Sequence, residues 1–210
     1  MEANTEQSNI PDRDAEQVYE ELERLTPSLT ELTGLPSRWN GQVELGQEEW
    51  FRGKKLFSCG IVIQAKLVTQ EIRWRTLIHE NLHSRSAGYN SADYNALIGW
   101  EEGVVEQTQR LLRPEVLARV RVQVEEAIFR EVEADHVYNR YIDALEDLRR
   151  SLSITKEQQT KFYVDLLATP IRDRAAFVYS LSSNLAGTDR RRFLSIFSAA
   201  SDRLRTKGRP

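Results

Sequence analysis

Apolar positions recur along this chain with two different periods, and the places where the period changes mark out its elements. Val18, Tyr19, Leu22 and Leu25 follow the three-to-four spacing of a helix and predict one near 13–25, ended by Thr26-Pro27. Residues 1–12 carry no such pattern and are expected to be disordered. Between Trp39 and Val68 the character changes. Asn40-Gly41 is a turn signal, and the runs QVEL, KLFSCGIVIQ and AKLV are rich in β-branched and aromatic residues, so this stretch reads as sheet. Helical spacing returns over 71–86, where Ile72, Arg75, Ile78, His79 and Leu82 share a side.

A loop around Gly88-Tyr89-Asn90 leads through Ser91, an expected N-cap, into a short helix ending at Gly99. Trp100 opens the next helix, which runs to about Leu112 and is expected to stop before Pro114. Beyond it the pattern is helical throughout. Leu117, Val120, Val124 and Ile128 form one stripe and Val137, Tyr141, Leu145 and Leu148 another, with Phe162, Leu166 and Leu167 further on. Thr155 to Gln158 reads as a capping box, Thr169-Pro170 as an N-cap followed by a first-turn proline, and Gly187-Thr188 as the break before the last helix. Residues 206–210 should fray.

With 210 residues, 40% of them hydrophobic, the chain can bury one substantial core. The expected class is α+β and mostly helical: a small N-terminal sheet and an associated helix packed against a C-terminal helical bundle. No apolar run approaches the roughly 20 residues that span a bilayer, and the polar N-terminus does not resemble a signal peptide. The single cysteine, Cys59, excludes an internal disulfide and points to a reducing compartment, so a cytoplasmic location is expected. Cys59 itself, on an apolar run, is expected to be a buried small hydrophobe. Residues 149–210 carry 13 basic and 5 acidic side chains, which allows an acidic partner for the C-terminal half. Solvated helix faces, including Arg190-Arg191-Arg192, give the same count more often, so a nucleic acid is not the expected ligand.

Chemistry concentrates in two segments. His79-Glu80-Asn81-Leu82-His83 places His-Glu-x-x-His on a predicted helix, where residues four apart lie on one face, so both imidazoles can reach one ion. This pattern arises by accident in on the order of one such chain in a hundred. The second segment, Trp100 to Glu106, supplies the missing carboxylate. A catalytic zinc takes three protein ligands and a water, and Glu102 completes a His-His-Glu set. Glu106 lies one turn after Glu102 and can hold the second ring N–H of a ligating histidine. Glu101 points about 100° away from Glu102 and is expected to have no comparable partner. His136 lies outside any ligand pattern and reads as structural, and Trp39, Trp50, Trp74 and Trp100 read as packing.

HENLH, eighteen residues and then the glutamate of WEEGVVE resembles the gluzincin group of metallopeptidases, which includes thermolysin-like peptidases and certain aminopeptidases. The resemblance spans residues 74–106. It implies that His79, His83 and Glu102 bind Zn2+, that Glu80 is the general base and that Glu106 supports a ligand. It also implies an edge strand at Phe57 to Ile63 that pairs with an extended substrate. Glu101 replaces the asparagine that precedes the ligand in both families, and no Gly-Ala-Met-Glu-Asn segment is present. Zinc would activate a water, Glu80 would take its proton, and a further donor would steady the oxyanion. Tyr94, Tyr89, His136 and Tyr138 are the candidates for that donor. Tyr94 is preferred because it follows His83 by eleven residues, as a tyrosine does in thermolysin-like peptidases.

The leading expectation is a narrow-specificity intracellular endopeptidase acting on a protein or peptide. The alternatives are an aminopeptidase that holds a substrate ammonium on Glu101, and a non-catalytic zinc module that binds protein or nucleic acid through its basic half. The expected organisation is a metallopeptidase core over 13–113 and a helical subdomain over 114–205 packed on it, bounding the cleft.

Overall fold

A computed structural model of the chain describes residues 10–48 and 52–205. Trp50, residues 1–9 of the segment expected to be disordered and the tail 206–210 lie outside the described residues, while residues 10–12 begin the first helix. In chain order the described elements begin with α1 (Ile10–Thr33), β1 (Val43–Gly46), β2 (Gly53–Lys55), β3 (Ile61–Gln64) and α2 (Arg73–His83). There follow α3 (Ser91–Ala96), α4 (Ile98–Arg119), α5 (Glu126–Ala134), α6 (Asn139–Ser151), α7 (Gln159–Ala168), α8 (Arg174–Leu181) and α9 (Gly187–Arg205). The fold is thus α+β and mostly helical, with one small sheet near its N-terminus.

Two helices pass through prolines at which the sequence pattern ends them. α1 contains Pro27 and α4 contains Pro114. An interior proline costs about 3 kcal/mol, because its ring displaces one hydrogen bond of the ladder. In α1 the buried stripe Val18, Leu22, Leu25 continues to Leu29, which is fully buried, and such a leucine stabilises by about 1.5–3 kcal/mol. Near the break, Thr26 Oγ1 donates to the Leu22 carbonyl at 2.8 Å, and the Thr26 carbonyl accepts from Arg85 at 2.7 Å. Tertiary contacts therefore outweigh the local stop signal. In α4 the buried pair Val116 and Leu117 carries the helix beyond Pro114 in the same way.

The sheet has the order β1-β3-β2, with β3 parallel to β1 and antiparallel to β2. The run AKLV is not a strand. Ala65–Leu67 is a 3-10 turn that lets the adjacent residues Leu67 and Val68 both point into the core as the chain descends toward α2. Cys59 is not on a strand either: it lies in the turn joining β2 to β3, with φ of 73° and partial exposure.

α2 is the central helix. Every residue from Trp74 to His83 is buried, because α1, the sheet and α4 cover it from different sides. α4 in turn packs on α6, α7 and α9. Gly103 permits that approach: a Cβ there would lie 2.9 Å from both Leu145 Cδ1 and Tyr141 Cβ. The expected stripe Leu117-Val120-Val124-Ile128 is split by a turn at 120–125, where Arg121 has φ of 55°, so Ile128 rides on α5. In the next stripe Tyr141, Leu145 and Leu148 are buried but Val137 is exposed.

Smaller corrections follow from caps. Asn90, not Ser91, caps α3, its Oδ1 accepting from the Asp93 N–H at 2.9 Å. α3 ends at Ala96 and α4 opens at Ile98, earlier than Gly99 and Trp100. Half of the expected capping box forms, with Gln158 Oε1 accepting from the Thr155 N–H at 3.1 Å. Pro170 precedes the 3-10 turn Ile171–Asp173 rather than opening an α-helix. No described helix is long and apolar enough to cross a membrane.

Candidate metal centre

His79 and His83 stand one turn apart on α2 and face α4, which presents Glu101, Glu102 and Glu106 toward them. His79 Nε2 lies 3.1 Å from His83 Nε2 and 3.2 Å from Glu102 Oε2, and His83 Nε2 lies 3.5 Å from that same oxygen. These three separations are close to the edge of a tetrahedron with bonds of about 2.1 Å, which is about 3.4 Å. The three residues form a group that could hold a metal ion.

The outer nitrogens decide what the inner ones can do. His79 Nδ1 is 3.1 Å from Glu106 Oε2, and His83 Nδ1 is 2.7 Å from Glu101 Oε1. A carboxylate only accepts, so each Nδ1 carries the proton and each Nε2 of a neutral ring is left with a lone pair. Two lone pairs and a carboxylate oxygen then point at one spot. A bound cation would relieve that repulsion.

Without an ion, protons do so. Burial works to lower both imidazoles, yet the Glu102 and Glu101 carboxylates push His83 up to about 10, and Glu102 with Glu106 raises His79. Burial works to raise Glu102, and the two imidazoles hold it far below the ordinary carboxylate range. The supporting carboxylates are anchored in their turn. Glu106 receives Arg75 at 2.6 Å and Arg110 at 2.9 Å. Glu101 receives Ser86 Oγ at 2.7 Å and Arg174 at 2.8 Å, and Arg174 also donates to the Trp100 carbonyl. Burial opposes the ionised form of Glu101 and Glu106, but these partners hold both below their ordinary values.

Glu101 is therefore corrected on two counts. It has a partner equivalent to that of Glu106, and, being fully buried and committed to His83 and Arg174, it is not available to a substrate ammonium. The sequence carried a signal for this, since residues 100° apart on one helix can address two histidines that themselves lie side by side. Arg174 and Ser86 gave no signal.

The open side of the cluster faces a cleft of about 570 Å³. Glu80 lines it beside the two histidines, and burial raises its carboxyl above the ordinary range, against the imidazoles and a hydrogen bond from the Lys55 backbone. β2 forms the opposing wall. Its Gly53 lies so close to α2 that a Cβ would meet Thr76 Cγ2 at 2.5 Å and Glu80 Cγ at 2.9 Å. The expected edge strand at Phe57 to Ile63 is corrected: β3 is paired on both sides, residues 57–60 are turn, and the strand at the cleft is β2.

Tyr89, Tyr94, His136 and Tyr138 all line the cleft. The Tyr94 hydroxyl donates to Glu102 Oε1, the oxygen not shared with the histidines, and burial together with the nearby Glu102 raises the Tyr138 hydroxyl well above its ordinary value. Tyr138 stacks on His79 with centroids 6.1 Å apart. Burial and the nearby Arg75 lower His136 to about 4, so it stands neutral near pH 7. Trp74 and Trp100 are buried, and Trp39 packs on Tyr19 away from the cleft. Comparison of the chain with protein-family models, curated proteins and solved structures finds no match.

Proposed function

We propose that this chain is a zinc-dependent metallopeptidase, an endopeptidase of narrow specificity whose centre is of the gluzincin type. The observation that carries the reading is the near-tetrahedral spacing of His79, His83 and Glu102 beside a buried glutamate and an open cleft. When bound there, zinc supplies a Lewis acid that activates water and polarises a carbonyl.

The chain's own residues supply the rest. The Glu80 carboxylate, raised by burial, is suited to take a proton from the attacking water and return it to the leaving amine. The Tyr94 and Tyr138 hydroxyls are the donors at hand for charge developing on the scissile carbonyl oxygen. β2, an edge strand along the cleft, can take an extended peptide as an added strand. Glu101 and Glu106 fix the ring orientation and tautomer of the two histidines.

Two features count against the aminopeptidase alternative: Glu101 is spoken for, and the cleft wall carries Arg52 and Lys55, which repel an ammonium. A purely structural metal is disfavoured because such sites are closed by four protein ligands, whereas three converge here beside open space. The basic surplus of the C-terminal half is partly consumed inside the protein, Arg149 pairing with Glu146 and Arg174 with Glu101, which weakens the case for a nucleic-acid surface. A reducing compartment remains the proposal, on the single cysteine.

The test is cleavage of a mixed peptide library by zinc-loaded protein, with and without a strong chelator. Internal cleavage that the chelator stops and zinc restores supports the reading. Absence of any cleavage, or cleavage indifferent to the chelator, overturns it.

A further inference from the structure

Lys55 is the last residue of β2, where strand alternation turns it toward α2 with Gly53 while Lys54 faces outward. It is 3% exposed, and it lines the cleft. Its ammonium lies 3.8 Å from the centre of the Tyr89 ring. Among the described residues no carboxylate lies within salt-bridge distance of it and no hydrogen bond leaves it. Of the acidic groups it feels, Cys59, Glu101 and Glu80, none lies within salt-bridge distance, and Glu101 is committed to Arg174 and His83.

A largely buried lysine whose ammonium meets only the cleft and an aromatic face loses hydration that the ring compensates only in part. Such a group is retained where a ligand supplies the missing anion. The remaining cleft charges agree in part: Arg52 is also cationic, Arg75 is already paired with Glu106 and Glu133, and the Glu102 carboxylate belongs to the histidine cluster. Tyr89 and Phe57, with centroids 5.3 Å apart, give the pocket an apolar floor that suits the methylene part of an acidic side chain.

We propose that Lys55, seated on Tyr89, is the specificity-determining residue of a subsite that selects an aspartate or glutamate side chain beside the scissile bond. This deepens the peptidase reading and rests on it for the word substrate. Because an extended peptide added to β2 presents alternate side chains to the α2 face, one acidic residue at a fixed distance from the cut is required rather than acidity in general. A free C-terminal carboxylate offers the same chemistry and is separated by the experiment.

The experiment uses N-acetylated, C-amidated hexapeptides in which each position in turn is Glu, Gln, Lys or Leu, with a parallel set bearing free C-termini. Zinc-loaded wild-type protein and Lys55→Met are compared for cleavage. The same peptides are titrated against zinc-loaded Glu80→Gln with and without Lys55→Met, so that binding is read even where nothing is cut. A preference for Glu over Gln of about tenfold or more at one position, lost in Lys55→Met, is expected in both readouts. Cleavage with no such preference, or with one that survives Lys55→Met, overturns the subsite and leaves the peptidase reading intact. A preference confined to free C-termini assigns Lys55 to the terminal carboxylate and overturns the side-chain assignment. If no peptide is cut, the peptidase reading falls, and the binding preference alone decides the subsite. Thermal unfolding gives a further check: Lys55→Met is expected to raise the midpoint by removing an unpaired buried charge, and a fall of several degrees would show that the ammonium is structural.

Discussion

Each histidine of the cluster is held by a different carboxylate, so Glu101, Glu102 and Glu106 of α4 have three separable roles. Glu80→Gln removes the base and no ligand. It is expected to retain bound metal while turnover falls about 10²- to 10⁴-fold, checked by metal content and single-turnover rates on the same preparation. A variant that cleaves at the wild-type rate would remove Glu80 from the mechanism. Glu101→Gln leaves Glu102 in place but weakens the hold on His83 and strands Arg174, which is fully buried. Metal affinity should drop about 10- to 100-fold, measured by competition with a chromogenic chelator, and Glu106→Gln should behave alike through His79. Unchanged affinity in Glu101→Gln would reduce that residue to packing. The clustering of His79, His83 and Glu102 was legible in the sequence, because an i, i+4 histidine pair and an i, i+4 glutamate pair are local patterns. Lys55 was not. Which of two adjacent lysines turns inward depends on the register of β2 against β3, and that register is a tertiary fact.

At the level of elements, tertiary packing repeatedly overrode local stop signals. Pro27 and Pro114 each sit inside a helix because buried leucines and valines continue beyond them, and a single sequence shows a proline more plainly than it shows what packs against the following turn. The caps erred by one residue for a milder reason: Asn90 and Ser91 are both good N-caps, and the hydrogen bond to Asp93 chose between them. One clasp between helices is open to a direct test. Glu146 on α6 accepts from Gln159 Nε2 and Tyr163 Oη of α7, each at 2.8 Å, and pairs with Arg149 at 2.8 Å. Burial works against its ionised form, yet these three partners hold its carboxyl below the ordinary value. A depressed folded-state carboxyl stabilises above its unfolded pKa of about 4.3, and that contribution fades as pH falls through the lower folded value. Glu146→Gln should therefore be less stable than wild type by about 1–3 kcal/mol at pH 7, with the gap closing below about pH 4. Denaturant melts at the two pH values check this, and a gap that is constant with pH would mean that the charge of Glu146 contributes nothing.

For the whole molecule, the C-terminal helices are part of the centre's support. Arg174 of α8 reaches Glu101, Ser86 and the Trp100 carbonyl, and α6 closes on Gly103. α4 itself runs to Arg119, across the 113/114 boundary drawn from the sequence. His136, Val137 and Tyr138 complete the cleft from the same half. A fragment of residues 1–113 is accordingly expected to be unfolded or aggregated and to bind zinc weakly, as judged by circular dichroism and metal content. A soluble fragment that binds zinc like the full chain would show the helical half to be an appendage. Every layer of this arrangement converges on the cluster of His79, His83 and Glu102, where we propose that one ion is held, and the most direct measurement is the zinc content of the purified, zinc-reconstituted full chain beside folded His83→Ala and Glu102→Ala. The expected result is about one zinc per wild-type chain and little in either variant, because three protein ligands leave none to spare. Full zinc in both variants, or none in wild type, would contradict the metal centre.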